Sequence, residues 1–421
     1  MRRSYYIVAL IFLIFFVISF LTNIIGPLVP AIIEDFDLNL TLVALLPFAF
    51  FIAYGVMSIP AGILIEKYQE KPVMVAAFMV AFSGSLLLAL FPNYLSAVFS
   101  LFLIGSGMAM LQVAINPLLR EAGGEEHFAF NATVAQLIFG LASFLSPLVY
   151  TYLVLNLQTV TTDSNALISI LSRIVPENLH WISLYWLFAV ISILMVFVVL
   201  GSKIPEVERK EDERVGAWET HLELLKNPVV ILFFMGIFTY VGTEQGIANW
   251  ISVFLNKYHG YDPLTTGART VSWFWGLMTA GGVLGMIMLK LIDSKVVLVA
   301  FTALAMASLS AALYMSGPVA LIAFPLTGFF ASVMYPIIFS LALNSVKEHH
   351  GSFSGILVTA IAGGAIVPLI VGGLGDLFGL RAGMLFLFIP LGYIFSIGIW
   401  AEPLIKNEII DLARKSSTGV A

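Results

Sequence analysis

Apolar runs long enough to cross a bilayer follow one another along this whole chain, and no water-soluble core can absorb them. A helix needs about 20 predominantly apolar residues to span the hydrocarbon of a membrane. Such runs are read at 5–33, 40–65, 72–91, 94–119, 128–153, 181–201, 228–255, 267–290, 296–316, 318–346, 352–374 and 382–402. The expected fold class is therefore an all-α membrane protein of twelve spans. A membrane β-barrel would show short alternating segments instead. Charged residues make up only 11% of the chain, against about 25% in an average soluble domain. The first run follows Arg2 and Arg3 but is too long for the apolar core of a signal peptide and carries no small-residue cleavage pattern, so it is expected to be retained.

Positive charge orients the chain. With the N-terminus inside, sixteen of the 20 Lys and Arg fall on the inner connections and tails, while only Arg173, Lys257, Arg269 and Arg381 lie outside. The bias places both termini in the cytoplasm of a cell-membrane protein. The longest polar connection, 202–227, falls between the sixth and seventh runs and reads as a cytoplasmic linker. It divides the chain into an N-terminal bundle, 1–201, and a C-terminal bundle with a short tail, 228–421. The halves also resemble each other. Gly62–Lys67 and Gly285–Lys290 close the second and eighth runs at an offset of 223, and Phe130 and Phe353 open the fifth and eleventh at the same offset. A weak parallel repeat of six spans is what related transporter halves look like.

Function is concentrated in few residues. Glu244 is the single ionisable residue deep within an apolar run. A charge at bilayer depth costs roughly 2.5–3.5 kcal/mol on insertion scales, so such a residue normally faces a water-filled cavity or a partner. The carboxyl suits three roles: proton carrier, sodium ligand, or acceptor for substrate hydroxyls. A protonated structural glutamate is the alternative. Gly242 and Gly246 flank it and weaken the helix there. Tyr240 lies one turn before it on the same face. Asn23, Gln112, Asn116, Asn131, Gln136, Gln245 and Asn249 are amides inside apolar runs. Amides both donate and accept hydrogen bonds, as a hydroxylated ligand needs, and they also join helices to one another. Asn116 precedes Pro117 and has a second reading, repair of the backbone at that kink. Asn23 and Glu244 are offset by 221, so they are near-equivalent positions of the repeat. Trp250 and Trp273 read either as stacking faces for a substrate ring or as interface anchors; Trp275 reads as an anchor. Glu34, Asp35 and Asp37 read as a solvated outer turn, and Gly375–Arg381 as a cap and turn between the last two spans. The chain has no Cys, no GxxxxGK[ST] loop and no nucleophile–base constellation, so neither a cofactor, a metal, ATP-driven transport nor an enzymatic activity is expected. No basic face suggests nucleic acid; the bilayer is the implied environment, and a monomer is expected.

Four motifs in order carry a resemblance. They are Met110-Leu-Gln-Val-Ala-Ile-Asn-Pro117, Asn131 with Ala135-Gln136, Tyr240-Val-Gly-Thr-Glu-Gln245, and Val333-Met-Tyr-Pro-Ile-Ile-Phe-Ser340. Together they resemble the fourth, fifth, seventh and tenth spans of the fucose–proton symporter family within the major facilitator superfamily. The resemblance implies two pseudo-symmetric six-helix bundles and secondary active uptake of a monosaccharide or related sugar, driven by a cation, proton more than sodium, through alternating access. It places Asn23, Gln112 and Gln136 at the sugar from one half, with Glu244 and Gln245 opposite, and makes Tyr335 a substrate contact. The family's acids in the first and fourth spans are Asn23 and Gln112 here, so the coupling role passes to Glu244. A proton-coupled exporter of drugs or amphipathic molecules is the competing reading, against which the number of amides counts.

Overall fold

The computed structural model describes residues 4–124, 128–159, 165–204, 222–346 and 350–404. Its described residues contain twelve helical spans: Tyr5–Phe36, Leu40–Tyr68, Glu70–Leu90, Tyr94–Gly123, Phe130–Gln158, His180–Gly201, Pro228–Ala248, Pro263–Met288, Ser294–Tyr314, Gly317–Leu343, Ser352–Phe378 and Leu380–Trp400. Most of the expected linker, together with Arg2, Arg3 and the tail after Leu404, lies outside the described residues.

Local chemistry sets where these helices start. Asn39, Asn93 and Asn227 each accept a backbone N–H of the first turn that follows, and Asp293 does the same for the ninth span. The ends differ from the expected boundaries by a few residues, mostly because polar first and last turns continue the helix beyond the apolar stretch. Several spans are broken: the tenth between Ala331 and Met334, the twelfth between Leu385 and Phe388, the eleventh by a tight turn at Ala360–Ala362, and two more that bear on the site. The first stops at Thr22 and restarts at Ile25; the seventh stops at Ala248 and restarts at Ile251, running on to His259. A short helix, Ala166–Ile174, was invisible in the run analysis because it is too short to span; Asn165 caps it.

The packing repeats after six spans. The first packs on the fifth as the seventh packs on the eleventh; second on fourth as eighth on tenth; third on sixth as ninth on twelfth. One matched pair of lysines shows the repeat at atomic detail. Lys71, opening the third span, donates from Nζ to the carbonyls of Leu200 and Ser202 at 2.8 and 2.7 Å, where the sixth ends. Lys295, opening the ninth, donates to the carbonyls of Ile399 and Ala401 at 3.3 and 2.6 Å, where the twelfth ends. Each cation neutralises orphan carbonyls and the negative end of a helix dipole.

Contacts between the first six and the last six spans are anchored on the face away from Ser4 and Leu404, here the far face; the opposite one is the terminal face. There Asp376 accepts from Leu40 N at 2.9 Å and from Thr41 N and Oγ1 at 2.8 and 2.5 Å. The eleventh span thus caps the second with a carboxylate, the group a helix N-terminus favours. This corrects the expectation that Asp376 serves the turn between the last two spans. Thr151 donates to the carbonyl of Leu264 at 2.7 Å, tying the fifth span to the eighth. Asp35 is likewise more than a solvated acid: its carboxylate accepts the Trp181 indole N–H at 2.6 Å.

Candidate functional site

The first and seventh spans meet at their breaks. A Cβ on Gly26 would lie 2.4 Å from the carbonyl oxygen of Ala248, so only glycine lets the two backbones approach this closely. Asn23 precedes Gly26 by three residues and Glu244 precedes Ala248 by four. At about 1.5 Å of rise per residue the two positions stand roughly 4.5 and 6 Å toward the terminal face from this closed contact. The sequence equivalence of Asn23 and Glu244 is therefore also an equivalence of depth.

Glu244 is half-buried. Its Oε1 accepts from Gln245 Nε2 at 3.2 Å, and its carboxyl interacts with the phenol of Tyr240 one turn earlier. Tyr240 packs on Tyr335 of the tenth span, ring centroids 5.7 Å apart, and Tyr335 stacks on Phe339 at the same spacing with an interplanar angle of 21°. The helix is not interrupted at the flanking glycines, contrary to expectation. It runs unbroken through both, because their missing side chains make room for Val367, the Gly363 carbonyl and Leu387. The glycines serve the contact with the last two spans, and the break falls five residues after Glu244.

Across the molecule, Asn23 is 5% exposed and sits at the break of the first span. Its Nδ2 donates to Ser143 Oγ of the fifth span at 2.8 Å. Ser143 Oγ lies 2.6 Å from Ser19 Oγ, and Ser19 donates to the carbonyl of Phe139 at 2.5 Å. Thr22, next to Asn23, interacts with Tyr54 of the second span. Tyr54 stacks on Phe51, with ring centroids 6.2 Å apart. Phe51 in turn reaches the eleventh span, where a Cβ on Gly364 would lie 3.0 Å from its ring and 3.2 Å from Gln245 Cγ.

The other candidates divide. Gln112 is half-buried, and Asn116 and Gln136 are exposed, on the terminal halves of the fourth and fifth spans; Pro336 and Ser340 are exposed on the tenth. An amide facing lipid is costly, so these exposed amides mark a wetted surface. Asn131 packs at the end of the fourth span, its Nδ2 against Gly123. Asn249 and Trp250 lie in the closed contact, 3% and 1% exposed, each with a buried side-chain N–H lacking a hydrogen-bond partner among the described residues. Trp250 packs on Gly372 of the eleventh span, so its face is turned into protein. Trp275 is buried and does not act as an interface anchor here, because it packs on Phe274 and is enclosed. Trp273 is exposed and meets Phe144 of the fifth span edge to face at 5.4 Å. Ser19, Ser143, Phe51, Tyr54 and Phe339 were missed: serines and aromatics in an apolar run carry no signal until the partner helix is known. Among the described residues no group of three or more His, Cys, Asp and Glu is placed to hold a metal ion.

The family model described as Major Facilitator Superfamily matches residues 11–368. A glucose/galactose transporter of Brucella abortus is 33% identical over 407 residues, covering 92% of each chain. The L-fucose-proton symporter of Escherichia coli is 27% identical over 395 residues, covering 89% of this chain and 88% of that one. A crystal structure of the Escherichia coli fucose:proton symporter superposes with a TM-score of 0.67 at 24% identity, covering 95% of this chain and all of that one.

Proposed function

The chain belongs to the Major Facilitator Superfamily, and we propose that within it this multi-pass membrane transporter takes up a hexose or a related monosaccharide by symport with a proton. The relatives named above carry glucose, galactose or fucose by their names, and one is named for proton symport. One observation of this chain supports the same reading. A carboxyl held within a membrane span is half-buried, meets Tyr240 and Gln245 with Tyr335 packed on Tyr240, and stands near the depth where the first and seventh spans close on each other.

The proposed cycle needs two bundles, 1–201 and 228–421, that rock about this depth with both termini in the cytoplasm. In the conformation described, the far-face contacts hold the halves together. The wetted amides of the fourth and fifth spans open toward the terminal face, which the positive charge assigns to the cytoplasm. Asn23, Gln112 and Gln136 hold the sugar from one half, and Gln245, Tyr240 and Tyr335 from the other. Glu244 takes a proton before the halves swing and releases it afterwards. Neutralising the carboxyl for the crossing removes the cost of an exposed charge at bilayer depth.

The test is uptake by proteoliposomes under an imposed proton or sodium gradient, with glucose, galactose and fucose as first substrates and Glu244→Gln alongside. The reading expects uphill accumulation driven by the proton gradient in the parent. The variant should exchange internal for external sugar without concentrating it. Accumulation by Glu244→Gln equal to the parent's removes Glu244 as the coupling group; sodium-driven accumulation replaces the proton.

A further inference from the structure

Two serines and a carbonyl beside Asn23 use up their own protons on one another. Ser19 Oγ lies 2.5 Å from the Phe139 carbonyl oxygen and 2.6 Å from Ser143 Oγ. Both distances are short O–H···O contacts and each needs one proton. A carbonyl has none to give, and a serine has one. Ser143 Oγ also lies 3.1 Å from the Phe139 carbonyl oxygen, so the two hydroxyl protons serve three contacts within this cluster and none is left over. The remaining contact, Ser143 Oγ to the Asn23 amide at 2.8 Å, must take its proton from Asn23, which puts Nδ2 toward the serines. The opposite flip would set a carbonyl oxygen against a hydroxyl oxygen with no proton between them.

The consequence falls on the other end of the amide. Oδ1 points away from the serines and has no hydrogen-bond partner among the described residues, yet it is not sealed off as Asn249 Nδ2 is. It stands just on the terminal side of the closed contact between Gly26 and Ala248, at the depth of Glu244. An orphan acceptor in that position asks for a donor. We propose that the Ser19–Ser143 pair is a positioning device that fixes Asn23 as an acceptor, so that the substrate must present a hydroxyl as donor at this point. Asn23 is the contact; the two serines act through it. The proposal rests on the sugar reading above for the identity of the donor, but the orientation of Asn23 stands on the serines alone.

Deoxy and fluoro sugars separate the possibilities. A hydroxyl donates and accepts, a C–F bond at best accepts, and a C–H does neither. Monodeoxy and monodeoxyfluoro series of glucose and galactose compete for uptake in proteoliposomes of the full chain. At one ring position the wild type should reject the fluoro and deoxy analogues alike, each by about tenfold. In Ser143→Ala the amide is free to turn its N–H₂ outward, and the fluoro analogue should regain several-fold over the deoxy one. Ser143→Thr keeps the oxygen and should keep the wild-type order. Should Ser143→Ala fail to fold, Ser143→Val keeps the bulk of threonine without the hydroxyl and should shift the order in the same direction, whereas Ser19→Ala leaves Ser143 donating to the Phe139 carbonyl and should keep the wild-type order. Wild-type protein that accepts the fluoro sugar as well as the parent sugar at every position overturns the proposal, as does a Ser143→Ala that weakens all analogues equally. If no hexose competes, the transport reading has failed. The orientation is then judged from unfolding temperatures of Asn23→Ala, Ser143→Ala and the double variant: non-additive losses support it, additive ones refute it.

Discussion

Asn23 and Glu244 occupy matching depths in matching spans, and their surroundings are opposite in kind. The amide donates to Ser143, which is itself backed by Ser19 and the Phe139 carbonyl. The carboxyl meets one phenol, Tyr240, with Tyr335 packed behind it, and one amide, Gln245, and is only half-buried. A pair of serines supplies fixed lone pairs and no group that titrates near neutral pH. A carboxyl beside a phenol has a partner in either of its protonation states, since a phenol both donates and accepts. The repeat thus supplies two equivalent positions, and the divergence between them separates gripping a substrate from responding to a cation. This division is a proposal, and it can be attacked from either side.

The largest effect is expected at Glu244. A 100 mV gradient is worth about 2.3 kcal/mol per proton, or about 50-fold accumulation. Glu244→Gln should bring the internal-to-external sugar ratio to about one while counterflow of labelled sugar persists. A ratio still near the parent's would erase the contrast between the halves. Next is Asn23→Asp, which puts an acid back into the first span. It removes the N–H₂ that Ser143 accepts and sets a carboxylate against a hydroxyl whose proton is already committed. Losing a charged or buried partner costs about 1.5–3 kcal/mol, so sugar affinity at neutral pH should fall about 10- to 100-fold and recover as the medium is acidified. An affinity that stays flat with pH would show that the serines do not read the protonation of this group.

The third test concerns the far-face contact that sets the two halves against each other. Asp376→Ala removes three hydrogen bonds to the second span. Charge-assisted bonds at a helix N-terminus contribute about 1–3 kcal/mol, enough to shift a two-state equilibrium several-fold or more. The chain has no Cys, so Asn116→Cys is a single reporter on the terminal half of the fourth span. In inside-out vesicles a membrane-impermeant maleimide should reach it several times more slowly when Asp376 is Ala, because opening the far face closes the terminal one. Unchanged labelling would mean the contact does not hold the far face shut. The smallest effect sharpens the symmetry itself. Lys71→Met and Lys295→Met remove equivalent caps and should each cost about 1 kcal/mol, seen as similar drops in unfolding temperature in detergent. A large asymmetry would show that the matched lysines are not energetic equivalents.

Much of this was legible without coordinates. The apolar runs required spans, since about 20 consecutive apolar residues leave a helix no better solvent than lipid. Glu244 stood out because a carboxyl at that depth is too costly to keep without a use. The short-range asparagine caps, such as Asn39 on Leu42 N, also belong to what neighbouring residues decide. Asp376 was visible only as a turn residue, because its partners Leu40 and Thr41 are more than 330 positions away. The glycines beside Glu244 looked like a weak point in the helix, and became a packing surface once Val367 and Leu387 filled the space.

The order of apolar and polar segments, by itself, determined that the chain spans a membrane twelve times, that its halves repeat, and which carboxyl is out of place. Those properties depend on length, periodicity and solvation cost, all of which are local to a run of residues. Tertiary structure alone decided that Ser19 and Ser143 stand against Asn23, that Tyr335 closes over Tyr240, and that Asp376 caps the second span. A hydroxyl or a ring in an apolar helix is silent until another helix brings the atom it needs, because a hydrogen bond or a stack is a relation between two surfaces and only one of them is written at any point along the chain.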